Sequence, residues 1–230
     1  MKIKNWNSIM KIVITFILYL SYTTLFDKIF KICGINTNVL TMFISDLVFF
    51  ITIILLYRKN IKEDLKIFNK EYPIKKKILT IGLGILILFL MNMLMGAITQ
   101  IFIPTISTGN DENTSAIIEL FNSSYLYTLF KTLLFAPIAE ELLFKEAIRD
   151  VVKNNILFVL ISSAIYTTMN FIYSSIGTPY MIIDIIGYFL FSSILSVIYL
   201  KNDDNIILVM FIKFFYNIIP TILLLLSVVI

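Results

Sequence analysis

The chain contains no histidine and one cysteine, Cys33, and only 15% of its 230 residues are charged. Without histidine it lacks the side chain whose ordinary titration falls nearest neutral pH. A single cysteine excludes an intramolecular disulfide and supplies no thiolate cluster. A zinc site would have to be built from carboxylates and amides, a poor match to zinc's preference for nitrogen and sulfur ligands. No metal and no cofactor is therefore expected. Charge is scarce for a soluble protein, since ordinary globular chains run about 25% charged and about 45–50% apolar. Here 59% of the residues are hydrophobic and the mean hydropathy is +0.91. The apolar residues fall in long blocks, so the excess belongs to membrane spans and not to one oversized core. Internal repeats and low-complexity segments are also missing.

What is present reads as an all-α, polytopic transmembrane helical bundle forming one membrane domain over residues 1–230. Each span needs roughly 20 mostly apolar residues. Seven are expected: Ile12 to Phe26, extendable towards Ile35; Thr37 to Tyr57; Ile78 to Pro104; Tyr125 to Phe144; Ile156 to Ile176; Met181 to Leu200; and Ile206 to Ile230. The last is interrupted by Lys213 and Pro220, and a split at the proline would make eight.

Basic residues set the orientation. Arg58 to Lys77 holds eight Lys/Arg against three acids, and Lys2, Lys4, Lys11, Arg149 and Lys153 fall on the same side. The loop Thr105 to Ser124 has Asp111, Glu112 and Glu119 and no basic residue. The positive-inside rule then places the N-terminus in the cytoplasm of a multi-pass cell-membrane protein. The net charge of +4 sits almost wholly in the basic loop. Because that loop flanks spans, its expected partner is anionic lipid of the bilayer and not nucleic acid. The N-terminus is basic and then apolar like a signal peptide, but no small-residue cleavage site follows, so it reads as a retained span. Residues 115–121 suit an interfacial amphipathic helix. Trp6, Tyr173, Tyr180 and Tyr188 suit interfacial anchors. Asp203 and Asp204 suit a solvated turn. Asn92 suits an interhelical hydrogen bond, and Met91, Met93 and Met95 suit packing and lipid contact.

The segment Ala136-Pro137-Ile138-Ala139-Glu140-Glu141-Leu142-Leu143-Phe144-Lys145 sets two carboxylates and an ammonium in an apolar run. Ionisable groups within spans mark functional sites. On an α-helix Glu140 and Glu141 diverge by about 100°, while Glu141 and Lys145 share a face at i, i+4. This predicts Glu141 held by Lys145 and Glu140 facing a cavity as a general base. The alternative is that both glutamates snorkel to water and pair with Lys145 and Arg149. Asp46 is left to pair with Lys131 or Lys213, or to meet water near the outer end of its span.

This segment resembles the first motif, E-E-x-x-x-R with an Ala-Pro lead-in, of the CPBP (Abi, CAAX protease-like) family of intramembrane endopeptidases. Ser162 to Asn170 resembles the second, F-x-x-x-H, with Tyr166 for phenylalanine and Asn170 for histidine. Lys213-Phe214-Phe215-Tyr216-Asn217 resembles the third, H-x-x-x-N, with Lys213 for histidine. The resemblance covers residues 120–220. It implies that Glu140 is the base activating water, Glu141 and Lys145 its supports, and Asn217 an oxyanion donor. The departures fall on the chemistry: Asn170 cannot exchange a proton near pH 7, and Lys213 is a point cation. Two glutamates opposed by Lys145, Lys213 and Lys131 predict an ionic cluster, with both Lys145 and Lys213 ammonium groups within about 4–6 Å of a glutamate.

Three functions follow. The first is a catalytically degenerate scaffold or regulator with a transmembrane protein or peptide partner; relatives are associated with bacteriocin self-immunity. The second is an active endopeptidase using Glu140. The third is a small transporter with Asp46, Lys131, Glu140 and Lys213 on an ion path, disfavoured because no inverted repeat appears.

Overall fold

A computed structural model describes residues 6–36, 38–70, 72–102, 118–119, 121–171 and 181–229. Tyr173 and Tyr180, the side chain of Trp6 and most of the expected interfacial helix at 115–121 lie outside the described residues. Within them the regular structure is helical. Helix α1 is Trp6–Ile32, α2 Val39–Lys70 and α3 Ile74–Phe102. A continuous rod at 125–151, here α4, is assembled from Tyr125–Leu129, π-helical Phe130–Glu140 and Leu142–Glu146, and a last α-turn Ala147–Val151. Helices α5 (Asn155–Phe171), α6 (Met181–Lys201) and α7 (Ile206–Val229) complete the bundle.

The helix ends follow from local sequence. At the end of α1, Gly34 takes φ +71°, with Ile35 N–H donating to Phe30 O and Gly34 N–H to Lys31 O. That is a Schellman stop, which glycine adopts without a Cβ penalty. The helix therefore runs past Asp27 and Lys28, and Asp27 is paired with Lys31 at 2.8 Å. At the start of α2, Asn38 Oδ1 accepts from Thr41 N–H while Thr41 Oγ1 accepts from Asn38 N–H, a reciprocal cap. Asn154 caps α5 and Asn205 caps α7 in the same chemistry.

Among the described residues five helices are long and apolar enough to cross a bilayer: α1, α2, α3, α6 and α7. The chain is thus a multi-pass membrane protein. The core lies along two seams. On α2, Thr41, Ser45, Phe49, Ile53 and Tyr57 recur every four residues and are buried, one stripe of a helix. On α7, residues 206–210 with Ile212 and Lys213 are all buried, so the first half of this helix is surrounded by the others. Helix α3 approaches α7 closely at Gly84, where an added Cβ would meet Ile212 Cδ1 at 2.7 Å. Asn92 of α3 donates to the Tyr216 hydroxyl of α7, the interhelical bond expected of it. Met91 is buried, Met93 exposed and Met95 intermediate, as packing and lipid contact require.

A polar girdle closes the basic end of the bundle. Asp64 of α2 accepts from Ile206 N–H at the first turn of α7, and Phe68 stacks on Phe211. The turn at 202–205 is not the freely solvated one expected. Asn205 is buried, Arg149 donates to Asp204, and the Tyr72 hydroxyl donates to Asn202 O and Asp203 Oδ2. Asp203 and Asp204 both adopt φ +56°, a left-handed conformation that aspartate tolerates better than most residues.

Candidate functional site

Helix α4 carries Glu140, Glu141 and Lys145 past the buried half of α7, which carries Lys213. Proline 137 lies inside the π-helical stretch. It has no N–H and its ring crowds the carbonyl of the preceding turn, so a regular α-helix cannot pass through it undisturbed. A π-helix bonds residue i to i+5 and holds more residues per turn, so consecutive residues diverge by less than the about 100° of an α-helix. Glu140 and Glu141 still diverge, yet both reach one ammonium. Lys213 Nζ lies 2.9 Å from Glu140 Oε2 and 2.8 Å from Glu141 Oε1. The second oxygen of Glu141 is 2.6 Å from Lys145 Nζ. Both ammonium groups thus lie inside the predicted range, and Glu141 is held by Lys145 as expected, while Glu140 is paired with Lys213 instead of standing free.

The four groups form a chain, Glu140–Lys213–Glu141–Lys145, with two charges of each sign. Glu141 and Lys145 are fully buried and Lys213 is 3% exposed, whereas Glu140 retains 17%. Snorkelling to water is therefore excluded for Glu141, and Arg149 is engaged by Asp204 instead. Buried ions on this scale persist only when paired. Tyr166, at the phenylalanine position of the second motif, puts its ring 5.1 Å from Lys213 Nζ and 6.0 Å from Lys145 Nζ, close enough for its face to attract both cations. Phe144 and Tyr188 meet the same ring edge-on, so Tyr188 borders the site.

The remaining motif positions are spent on backbone. Asn170 Nδ2 donates to Tyr166 O one turn earlier in its own helix. Asn217 Nδ2 donates to Thr132 O at 2.8 Å. In the π register the donor for Thr132 O would be residue 137, a proline without an N–H, and Asn217 donates to that carbonyl from α7. This ties α7 to α4 one turn beyond Lys213.

The second pair of sequence-flagged residues lies apart from the first. Asp46 pairs with Lys131 at 2.5 Å and not with Lys213. Its two oxygens also accept from the Tyr22 and Tyr127 hydroxyls, at 2.6 and 2.7 Å. Neither tyrosine carried a sequence signal, because hydroxyl donors on distant helices leave no spacing to read. Glu146 was missed too. It is buried, and accepts from Asn60 Nδ2 and from the Tyr199 hydroxyl. Its i+3 neighbour Arg149 would have been the sequence choice of partner, and that residue turns to Asp204. No three His, Cys, Asp or Glu side chains converge as a metal site among the described residues.

Long apolar helices and a buried ion cluster define a polytopic membrane protein with paired charges in its core. Residues 122–219 match the family model described as Rce1-like, type II CAAX prenyl endopeptidase Rce1-like. The similarity to the CAAX endopeptidase family is thus confined to 98 of the 230 residues of a multi-pass membrane protein. The matched segment includes all seven motif positions from Glu140 to Asn217 and excludes Asp46. No curated protein and no solved structure matches the chain.

Proposed function

We propose that this protein is a catalytically degenerate CAAX protease-like membrane protein that acts as a scaffold or regulator, engaging a transmembrane protein or peptide through an inherited protease framework. The observation that carries this reading is the bridging of both glutamates by Lys213. Peptide hydrolysis needs a carboxylate that takes a proton from water and a group that returns one to the leaving amine. Here the carboxylates are held by ammonium groups, and the amide of Asn170 does not ionise near neutral pH, so it can act as neither acid nor base. In this reading all seven rods cross the bilayer, α4 and α5 included, with the N-terminus and the basic girdle cytoplasmic. An immunity-type role is its most specific form, in which a membrane-active peptide is the partner.

The test is cleavage of membrane-embedded peptides by the chain reconstituted in liposomes. The expected result is no cleavage above that of Glu140→Ala. Turnover that disappears in Glu140→Ala would favour the second reading, an active endopeptidase, for which the partial exposure of Glu140 is the supporting feature. Reporter fusions at each terminus check the topology, the N-terminal one remaining cytoplasmic.

A further inference from the structure

Glu146 lies outside the motif, five residues beyond Glu141 and past the end of the fourth expected span. It is 7% exposed and sits where three helices meet. Asn60 of α2 donates to Oε1 at 2.5 Å, and the Tyr199 hydroxyl of α6 donates to Oε2 at 2.9 Å. Asn60 in turn accepts from Lys11 Nζ of α1 at 3.2 Å. Among the described residues Glu146 makes no ion pair, unlike the three other carboxylates buried in or near the spans, Asp46, Glu140 and Glu141. The charged and titratable groups around it come from every neighbouring element. Lys11 faces it from α1 but lies over the Tyr57 ring and 3.9 Å from Asp150. Tyr57 and Asp64 face it from α2, Tyr199 from α6, and Asp150 from its own rod. On its own rod, Lys145 is committed to Glu141 and Arg149 to Asp204.

We propose that Glu146 is a proton-binding site at the basic end of the bundle, and that its ionisation sets how firmly α4 holds α2 and α6. The site takes a proton from the adjoining aqueous phase onto Oε2. The Tyr199 hydroxyl, which donates to the anion, rotates to accept from the acid, since a phenol does either. Asn60 goes on donating to Oε1. No heavy-atom bond is made or broken, and both carboxyl oxygens of Glu146 keep a hydrogen-bond partner in either state. A buried carboxylate fed only by neutral donors is the arrangement in which the neutral acid competes with the anion.

Burial lifts the Glu146 carboxyl from the ordinary 4.5 to about 7; the Asn60 hydrogen bond opposes this, and the nearby Asp64 charge adds to it. A carboxyl raised on folding holds its proton more tightly in the native state. Its stabilisation is complete below the unfolded value and is lost as pH rises through the native one.

The experiment is a pH titration of the full chain in detergent between about pH 5 and 8, following the infrared carbonyl band of protonated carboxyls and the thermal unfolding midpoint. The wild type is expected to show a band that disappears near neutral pH and a midpoint that falls as pH rises. Glu146→Gln is expected to lack that band and to lose at least half of the fall, while Asp64→Asn keeps the band and the upper part of the fall. A band unchanged in Glu146→Gln, or midpoint profiles that superimpose, overturns the proposal. If Glu146→Gln does not accumulate, Tyr199→Phe decides, because removing one donor to the anion must move the band's titration to higher pH. An unmoved titration sinks the idea. The outcome is independent of whether the protein hydrolyses peptides.

Discussion

Glu141 and Asp46 are both carboxylates closed off from water, yet they are satisfied in opposite ways. Glu141 has an ammonium on each oxygen, from Lys213 and Lys145. Asp46 has one ammonium, from a Lys131 that is itself 35% exposed, and two tyrosine hydroxyls. The Glu141 site is purely ionic and spans two rods, so removing one cation leaves a charge with no remaining neutral donor. The Asp46 site distributes its load over α1, α2 and α4, and survives partial loss. Sites of the first kind fix register sharply. Those of the second kind tolerate change.

The comparison breaks most visibly at Lys213. Lys213→Met leaves two carboxylates facing one ammonium, and the expected loss is about 3–5 kcal/mol of stability, the cost of orphaning one partner of a buried pair. The unfolding midpoint in detergent, or failure to accumulate in membranes, reads this out. Next comes the carbonyl that Asn217 serves. Asn217→Leu is expected to cost roughly 1–3 kcal/mol, because Thr132 O loses the Asn217 donor. Adding Pro137→Ala restores an N–H in the π register, so the double variant should recover part of that loss; additive losses would refute the pairing. The smallest effect is at Lys131. Lys131→Met is expected to cost about 1 kcal/mol or less, since the ammonium is a third exposed and screened, and both tyrosines go on serving Asp46.

The long apolar runs made the bundle legible, because hydropathy over some twenty residues outweighs any local ambiguity. Legible too was the convergence of Glu140, Glu141, Lys145 and Lys213, since buried charges in separate spans must find one another. The pairing of Glu141 with Lys145 was legible, but the sharing of Lys213 by both glutamates was not. The α-helical angle was applied to a segment that Pro137 widens, and a proline inside a span was the available warning. The role of Asn217 follows from the same widening and is invisible without it. Asp46's tyrosines and Glu146's partners were not legible at all, for they are brought together by helix packing and by no sequence spacing. Glu146 also had a nearer apparent partner in Arg149, which the turn at 202–205 draws away.

The central claim is that Lys213 is spent on neutralising the two glutamates. A double-mutant cycle of Lys213→Met and Glu141→Gln, scored by unfolding free energy in detergent, tests it most directly. The predicted coupling is at least about 1.5 kcal/mol, with the double variant more stable than Lys213→Met alone, as expected for residues in one ionic network. Additive losses, with coupling below about 0.5 kcal/mol, would contradict the account.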